Sequence, residues 1–192
     1  LKAANCGIPV ISRIELLSEI MSCFEYSIGI AGSHGKTTAT AMCAHALYNS
    51  CENVTAHIGG EDAKFGNFYN GGNKFFVTEA CEFKKNFLKL HPSVAVLLNC
   101  DRDHLDCYEN TEELYASFTE FAERARARIV NKDDAAAAAV KDAITFALYD
   151  RTADFVAEDV RSYGGKYTFA ISERGEKTVK IRLGVYGKHN VY

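Results

Sequence analysis

At 192 residues and 47% hydrophobic, the chain can bury one good core, and domain-size statistics favour one domain over two. Its formal net charge of -3, with no basic block and no acidic tail, gives no electrostatic reason to expect nucleic acid or an anionic membrane, which leaves small-molecule chemistry. The seven cysteines are odd in number and form no C-x-x-C pair, which argues against a disulfide framework or a cysteine-rich zinc site and for free thiols in a reducing cytoplasm. No apolar run approaches the roughly 20 residues that span a bilayer and no signal-peptide pattern opens the chain, so a soluble cytoplasmic protein without membrane insertion is expected.

In chain order, a loop around Gly7 and Pro9 precedes Ile14 to Met21, whose apolar residues recur at helical spacing. Tyr26 to Ala31 reads as a strand that runs into Gly32-Ser-His-Gly35 and then into a helix from Lys36 to Asn49. Three further apolar runs follow: Val54 to Ile58, closed by Gly59-Gly60, then Phe75 to Thr78, then Val94 to Leu98. Continuous apolar runs suit strands covered on both faces, as in parallel α/β sheets. Thr111 to Ala127 has helical periodicity and leads to a strand at Arg128 to Asn131, so the pattern is βαβα. Ala135 to Ala139 reads as a helix. From about residue 152 the texture alternates, with segments at Asp154–Ala157, Lys166–Ile171 and Thr178–Leu183 around a Glu173–Glu176 turn. The expectation is a mostly parallel P-loop-type α/β sheet flanked by helices, with a small antiparallel β extension near the C-terminus.

Gly32-Ser33-His34-Gly35-Lys36-Thr37-Thr38 sits between a strand and a helix, the context that phosphate binding requires. Small residues let backbone N–H groups face phosphates, the helix N-terminus adds partial positive charge, Lys36 reaches the terminal phosphates and the Thr37 hydroxyl can hold Mg2+. The implied ligand is Mg-ATP. The first glycine of the general Walker pattern would fall at Ile30, so a glycine turn that merely caps a helix is the competing reading.

The loop resembles the shortened Gly-x-x-Gly-Lys-Thr-Thr form of the Mur ligases, in which histidine often occupies the place of His34. Two further segments fit that family in order and spacing, Glu79-Ala-Cys-Glu82 and Asn99-Cys-Asp-Arg-Asp-His-Leu-Asp106, and Gly187-Lys-His-Asn190 is similar to its segment between central and C-terminal domains. The resemblance implies three parts: 1–23 as the tail of an N-terminal UDP-sugar-binding domain, 24–186 as the central ATP-binding domain, and 187–192 as the start of a linker to a C-terminal domain. The N- and C-terminal domains would be partners in the same enzyme. The Glu-x-x-Glu and Asp-His-Leu-Asp-x-Tyr runs are most like the alanine-adding branch, although Cys81 stands where that branch has aspartate. Other branches use a carbamylated lysine where Thr119 falls here, and no lysine lies between Lys89 and Lys132.

By this resemblance the catalytic residues are Lys36, Glu79 and His104. Thr37 and Glu79 would hold one Mg2+, and His104 a second that bridges the γ-phosphate and the substrate carboxylate. Gly32 to Thr38 and Asn190 would bind ATP, Asn190 at the adenine. The implied reaction phosphorylates the carboxylate of UDP-N-acetylmuramate, after which the amine of L-alanine displaces phosphate to form an amide. Glu82 reads as a helix-start carboxylate favoured by the helix dipole. Three rivals stand beside this reading: another ligase of the superfamily, including a folylpolyglutamate-type enzyme; an unrelated P-loop NTPase or kinase; and a nucleotide-binding fragment without turnover.

Overall fold

A computed structural model describes residues 5–51, 53–101 and 107–192. Helix α1 (Arg13–Ser22) begins at a capping box: the Ser12 N–H donates to Glu15 Oε2 at 2.7 Å and the Glu15 N–H returns to Ser12 Oγ at 3.4 Å. Two further α-helices among the described residues are α2 (Lys36–Cys51) and α3 (Thr111–Glu123). Helix α3 is capped by Asn110, whose side chain accepts from the Glu113 N–H at 2.8 Å, and it carries Glu112 and Glu113 at its positive end.

The strands are β1 (Tyr26–Ala31), β2 (Val54–Asp62), β3 (Gly66–Asn70), β4 (Phe75–Glu79), β5 (Val94–Leu97), β6 (Ala127–Asn131), β7 (Ile144–Ala147), β8 (Phe155–Tyr163), β9 (Lys166–Glu173) and β10 (Glu176–Tyr186). They form one sheet of ten in the order β10-β9-β8-β7-β6-β5-β1-β4-β2-β3. From β2 across to β8 every pairing is parallel, while β3 at one edge and β9 and β10 at the other are antiparallel. The expected fold class therefore holds, and the antiparallel extension continues the main sheet through the β7–β8 pairing.

Both faces of the parallel part are covered, which is why its strands are apolar at successive positions. Ala31, Phe76, Ala95, Leu97 and Val130 face the α1/α3 side, where Leu17, Met21, Leu114, Phe118 and Phe121 complete the core. Ile30, Val54 and Val77 face Ala39, Cys43 and Leu47 of α2 on the other side. The 3-10 segment Phe83–Lys89 contributes the fully buried Phe87, stacked on Phe121 with ring centroids 5.1 Å apart.

Three expectations need correction. Strand β2 does not stop at Gly59-Gly60 but runs through them to Asp62 and turns into β3, a hairpin the sequence reading omits. Strand β7 is also absent from that reading. The alanine run makes one 3-10 turn, Ala137–Ala139, because the Asp134 carboxylate captures the N–H groups of Ala136 and Ala137 at 3.0 and 2.9 Å and fixes a turn there. Among the described residues no helix is long and apolar enough to cross a membrane, and Cys6, Cys23, Cys43, Cys81, Cys100 and Cys107 are free thiols.

Candidate nucleotide site

Strand β1 lies between β4 and β5, where the strand order reverses, so its carboxyl end opens into the crevice that ligands of open α/β sheets occupy. The register sets Ile30 level with Glu79 on one side and Ala31 level with Leu97 on the other. The loop after β1 is thereby flanked by Glu79–Glu82 and by Asn99–Asp101.

Gly32 and Gly35 take φ of 151° and 81°, which a β-carbon disfavours. A β-carbon on Gly32 would also lie 3.0 Å from Leu98 Cβ and 3.2 Å from the backbone of Asn99. The loop is clamped to the end of β5. The His34 N–H donates to Asn99 Oδ1 at 2.8 Å, Asn99 Nδ2 donates to the His34 carbonyl at 3.0 Å, and the Ser33 N–H donates to the Asn99 carbonyl at 3.0 Å. Ser33 Oγ donates to the Asp101 carbonyl at 2.9 Å. The His34–Asp101 ion pair, at 3.5 Å, is exposed on both sides and contributes little.

Lys36 folds back over the loop, its ammonium 2.6 Å from the Gly32 carbonyl, 3.2 Å from the Ser33 carbonyl and 3.0 Å from Glu82 Oε2. Glu82 does stand at the start of the 3-10 segment Phe83–Lys89, as expected, but its side chain is 1% exposed, makes no capping hydrogen bond and is turned to Lys36 instead. Its neighbour Tyr108 donates its hydroxyl to the Glu82 carbonyl at 2.5 Å; burial, and next the Glu82 charge, push the Tyr108 phenol up. Thr37 and Thr38 lie in the first turn of α2, and Thr37 is exposed.

On the other side, Glu79 Oε1 accepts the Gly59 N–H at 2.6 Å. A β-carbon on Gly59 would lie 2.5 Å from both Glu79 carboxylate oxygens, and one on Gly60 would lie 3.0 Å from Thr37 Cγ2. Gly59 thus lies against Glu79 and Gly60 against Thr37, and a glycine pair inside a strand pattern is the sequence signal for such a close approach. Behind them His57 Nδ1 is 3.0 Å from Thr78 Oγ1; burial, with Arg13 adding to it, pulls the imidazole below its usual range against the opposing charge of Glu79.

The structure therefore gathers Gly32 to Thr38 and Glu79 and adds Glu82, Asn99, Gly59 and Gly60, none of which the sequence alone assigns to the site. Asn190 lies apart. It sits in the 3-10 turn Lys188–Val191, donates to the Tyr186 carbonyl at 2.7 Å and lines a cavity of about 330 Å³ with Phe146, Phe169, Tyr192 and Met42 of α2. His104 lies outside the described residues. Among the described residues no cluster of three or more His, Cys, Asp or Glu side chains is arranged to hold a metal ion.

Fold and site together define an α/β domain with a Gly-x-x-Gly-Lys-Thr-Thr loop at the carboxyl edge of a parallel sheet. The chain belongs to the Mur ligase family: residues 30–192 match the Mur ligase middle domain. It is 38% identical over 99% of its length to the UDP-N-acetylmuramate–L-alanine ligase of Acetivibrio thermocellus, of which it covers 43%. It is 37% identical to that of Caldanaerobacter subterraneus subsp. tengcongensis over its whole length, covering 44% of that relative. The chain thus spans under half the length of these curated relatives. In fold it is similar to the UDP-N-acetylmuramate–alanine ligase of Thermotoga maritima, with a TM-score of 0.84 at 23% identity, covering 99% of this chain and 44% of that one. A MurF ligase of the same organism, solved in complex with ADP, gives a TM-score of 0.72 at 20% identity, covering 95% of this chain and 47% of that one.

Proposed function

We propose that this chain is the ATP-binding part of a cytoplasmic ligase of peptidoglycan precursor synthesis, which joins L-alanine to UDP-N-acetylmuramate. The observation that carries the reading is 38% identity, over 99% of the chain, to a ligase named for that pair of substrates. The remaining domains would come from the parts of the relatives that this chain does not span, with 1–23 ending the UDP-sugar-binding domain, 24–186 forming the ATP-binding domain and 187–192 leading to the C-terminal domain.

In this reading the backbone N–H groups of the loop and the N-terminus of α2 receive the phosphates of ATP, and the Lys36 ammonium lies against the terminal ones. Hard oxygen donors suit Mg2+, and Glu79 and Thr37 would supply them from the two sides of the same glycine pair, Glu79 held by the Gly59 N–H and the Thr37 methyl 3.0 Å from where a β-carbon on Gly60 would stand. Two protein oxygens suffice for an ion that keeps waters and phosphate oxygens as its other ligands. When bound, Mg2+ neutralises phosphate charge and polarises the phosphoryl group being transferred. The chain's own residues orient the nucleotide so that its γ-phosphoryl group meets the carboxylate of the sugar nucleotide; that carboxylate oxygen forms the new bond to phosphorus as the bond to ADP breaks. The L-alanine amine then attacks the acyl carbon, expels phosphate and loses a proton to give the amide. Positioning and charge neutralisation account for the catalysis without a covalent enzyme nucleophile. His104 and Asn190 keep their proposed roles at the second Mg2+ and at the adenine.

The test is phosphate release by the full-length enzyme with Mg-ATP and UDP-N-acetylmuramate, with L-alanine, glycine, L-serine or D-glutamate added in turn. Release that needs both the sugar nucleotide and L-alanine is expected. Dependence on another acceptor would move the enzyme to a different branch of the family, and ATP hydrolysis indifferent to every acceptor would end the ligase reading.

A further inference from the structure

The Lys36 ammonium has three protons to donate, and four oxygens surround it: Gly32 O at 2.6 Å, Ser33 O at 3.2 Å, and Glu82 Oε1 and Oε2 at 3.1 and 3.0 Å. These contacts engage all its donors, so a phosphate oxygen can bind only by replacing one of these partners. Which partner yields follows from burial. The Glu82 side chain is 1% exposed against 14% for Lys36, so pulling the ammonium off the carboxylate separates two opposite charges in a largely water-free place. A backbone carbonyl that loses one donor forfeits much less, because it is neutral and has a second lone pair. The Glu82 backbone is itself tied down from outside the loop: the buried Tyr108, which closes the Asp-His-Leu-Asp-x-Tyr run, donates its hydroxyl to the Glu82 carbonyl at 2.5 Å.

We infer that Glu82 is a positioning residue: it remains the fixed anionic partner of Lys36 while nucleotide phosphates take over from the Gly32 and Ser33 carbonyls, and so holds the ammonium where the terminal phosphates arrive. The inference rests on the reading of Gly32–Thr38 as a phosphate loop. Glu82 touches neither nucleotide nor metal in this arrangement; it acts through Lys36. It also gives the Glu-x-x-Glu spacing a division of labour, with Glu79 turned toward Gly59 and Glu82 toward the loop lysine.

The test uses the full-length enzyme and E82Q, which keeps the shape and removes the charge, beside K36M and the K36M/E82Q double variant. E82Q is expected to lower turnover at saturating Mg-ATP on the order of 10- to 100-fold while KM for Mg-ATP stays within about threefold, the signature of a misplaced group that acts on the transferring phosphate. With no nucleotide present, Lys36 of E82Q should be acylated several times faster by a small amine-reactive ester, read by peptide mass spectrometry, because its amine is no longer held against the buried carboxylate. A purely packing role would leave that labelling rate unmoved. K36M/E82Q should be no slower than K36M, since the effect travels through the lysine.

E82D, which keeps the charge on a shorter stem, should fall between wild type and E82Q, and it serves as the test if E82Q does not fold. Unchanged turnover in both, or the same loss from E82Q when K36M is already present, would overturn the inference while leaving the phosphate loop in place. If K36M itself neither slows turnover nor weakens ATP binding, the phosphate-loop reading falls and this inference with it.

Discussion

The Gly59 N–H holds the Glu79 carboxylate from the neighbouring strand at 2.6 Å, and a methyl group on Gly59 would lie 2.5 Å from both carboxylate oxygens. Heavy atoms do not share that space, and the side that yields is the end of a flexible side chain rather than backbone. Gly59→Ala should therefore leave the fold almost unchanged and turn Glu79 away from Thr37. The expected result is a loss of ATP-dependent activity on the order of 10- to 100-fold, partly recovered by raising Mg2+, as for a weakened metal ligand. Phosphate release measured across a Mg2+ titration checks this, and wild-type Mg2+ dependence in the Gly59→Ala variant would separate Glu79 from the metal.

Lys36→Ala should abolish ATP use, because no other side chain of the loop brings a fixed positive charge to the terminal phosphates. It also leaves the Glu82 carboxylate buried without its lysine, so the variant should be destabilised by about 3–5 kcal/mol. Adding Glu82→Gln should restore most of that stability and none of the activity. Urea unfolding of the three variants separates these effects; equal stability of Lys36→Ala and wild type would mean that the pair is solvated in solution.

Asn99 is the clamp between loop and sheet, since its amide both accepts from and donates to the backbone of His34. Replacing it with alanine removes two hydrogen bonds of about 1 kcal/mol each and frees the loop to sample conformations that do not face phosphate. Asn99→Ala should weaken Mg-ATP binding about tenfold by calorimetry. Asn99→Asp keeps the acceptor for the His34 N–H but loses the donor, and it adds negative charge beside the phosphates, so its binding should be weaker still.

Most of the site is legible in the sequence because its chemistry is local: the Gly32–Thr38 loop joins β1 to α2, and Glu79 ends a strand that pairs directly with β1. What is not legible depends on closure in space. Nothing near Glu82 in the chain says that Lys36, forty-six positions earlier, will bury it, and the helix-dipole reading of that carboxylate suits an exposed residue. Strand β3 escapes sequence reading because Gly66-Asn-Phe-Tyr-Asn70 has a glycine and two asparagines and little apolar alternation; it is held by its hairpin partner β2 and by its Tyr69 packing on Phe65 and Tyr48. Strand β7 has only four residues, and its place is fixed by parallel neighbours on both sides. The glycine pair at 59 and 60 reads as a strand terminator, yet it marks a place where side chains of another strand and a helix come against the backbone.

Asp133, just beyond β6, extends the argument to the C-terminal segment. Its carboxylate accepts the N–H groups of Leu148, Tyr149 and Asp150 at 2.7, 3.0 and 2.8 Å, and the Tyr192 hydroxyl also reaches it. Burial alone would raise its pKa, but these donors outweigh burial and hold the carboxyl below its ordinary range. A carboxyl with a lower pKa in the folded state contributes stability that is present above its unfolded pKa of about 3.9 and is lost as pH falls through the folded value. Asp133→Asn, whose amide can supply only one acceptor oxygen, should cost about 1–3 kcal/mol at pH 7. That gap should begin to close below about pH 4, where the carboxyl of the unfolded chain takes up its proton, and should go on closing as the pH falls through the lower folded value. The same loop holds Tyr149, whose hydroxyl accepts from Lys188 Nζ at 2.7 Å, so Asp133 ties Gly187–Asn190 to the sheet from two directions. If Asn190 meets the adenine, Asp133→Asn should also raise KM for ATP more than it lowers turnover, the reverse of the split expected for Glu82. Chemical unfolding at pH 7 and at about pH 3, with ATP kinetics at pH 7, tests both halves; a stability gap that stays constant with pH would remove Asp133 as the anchor.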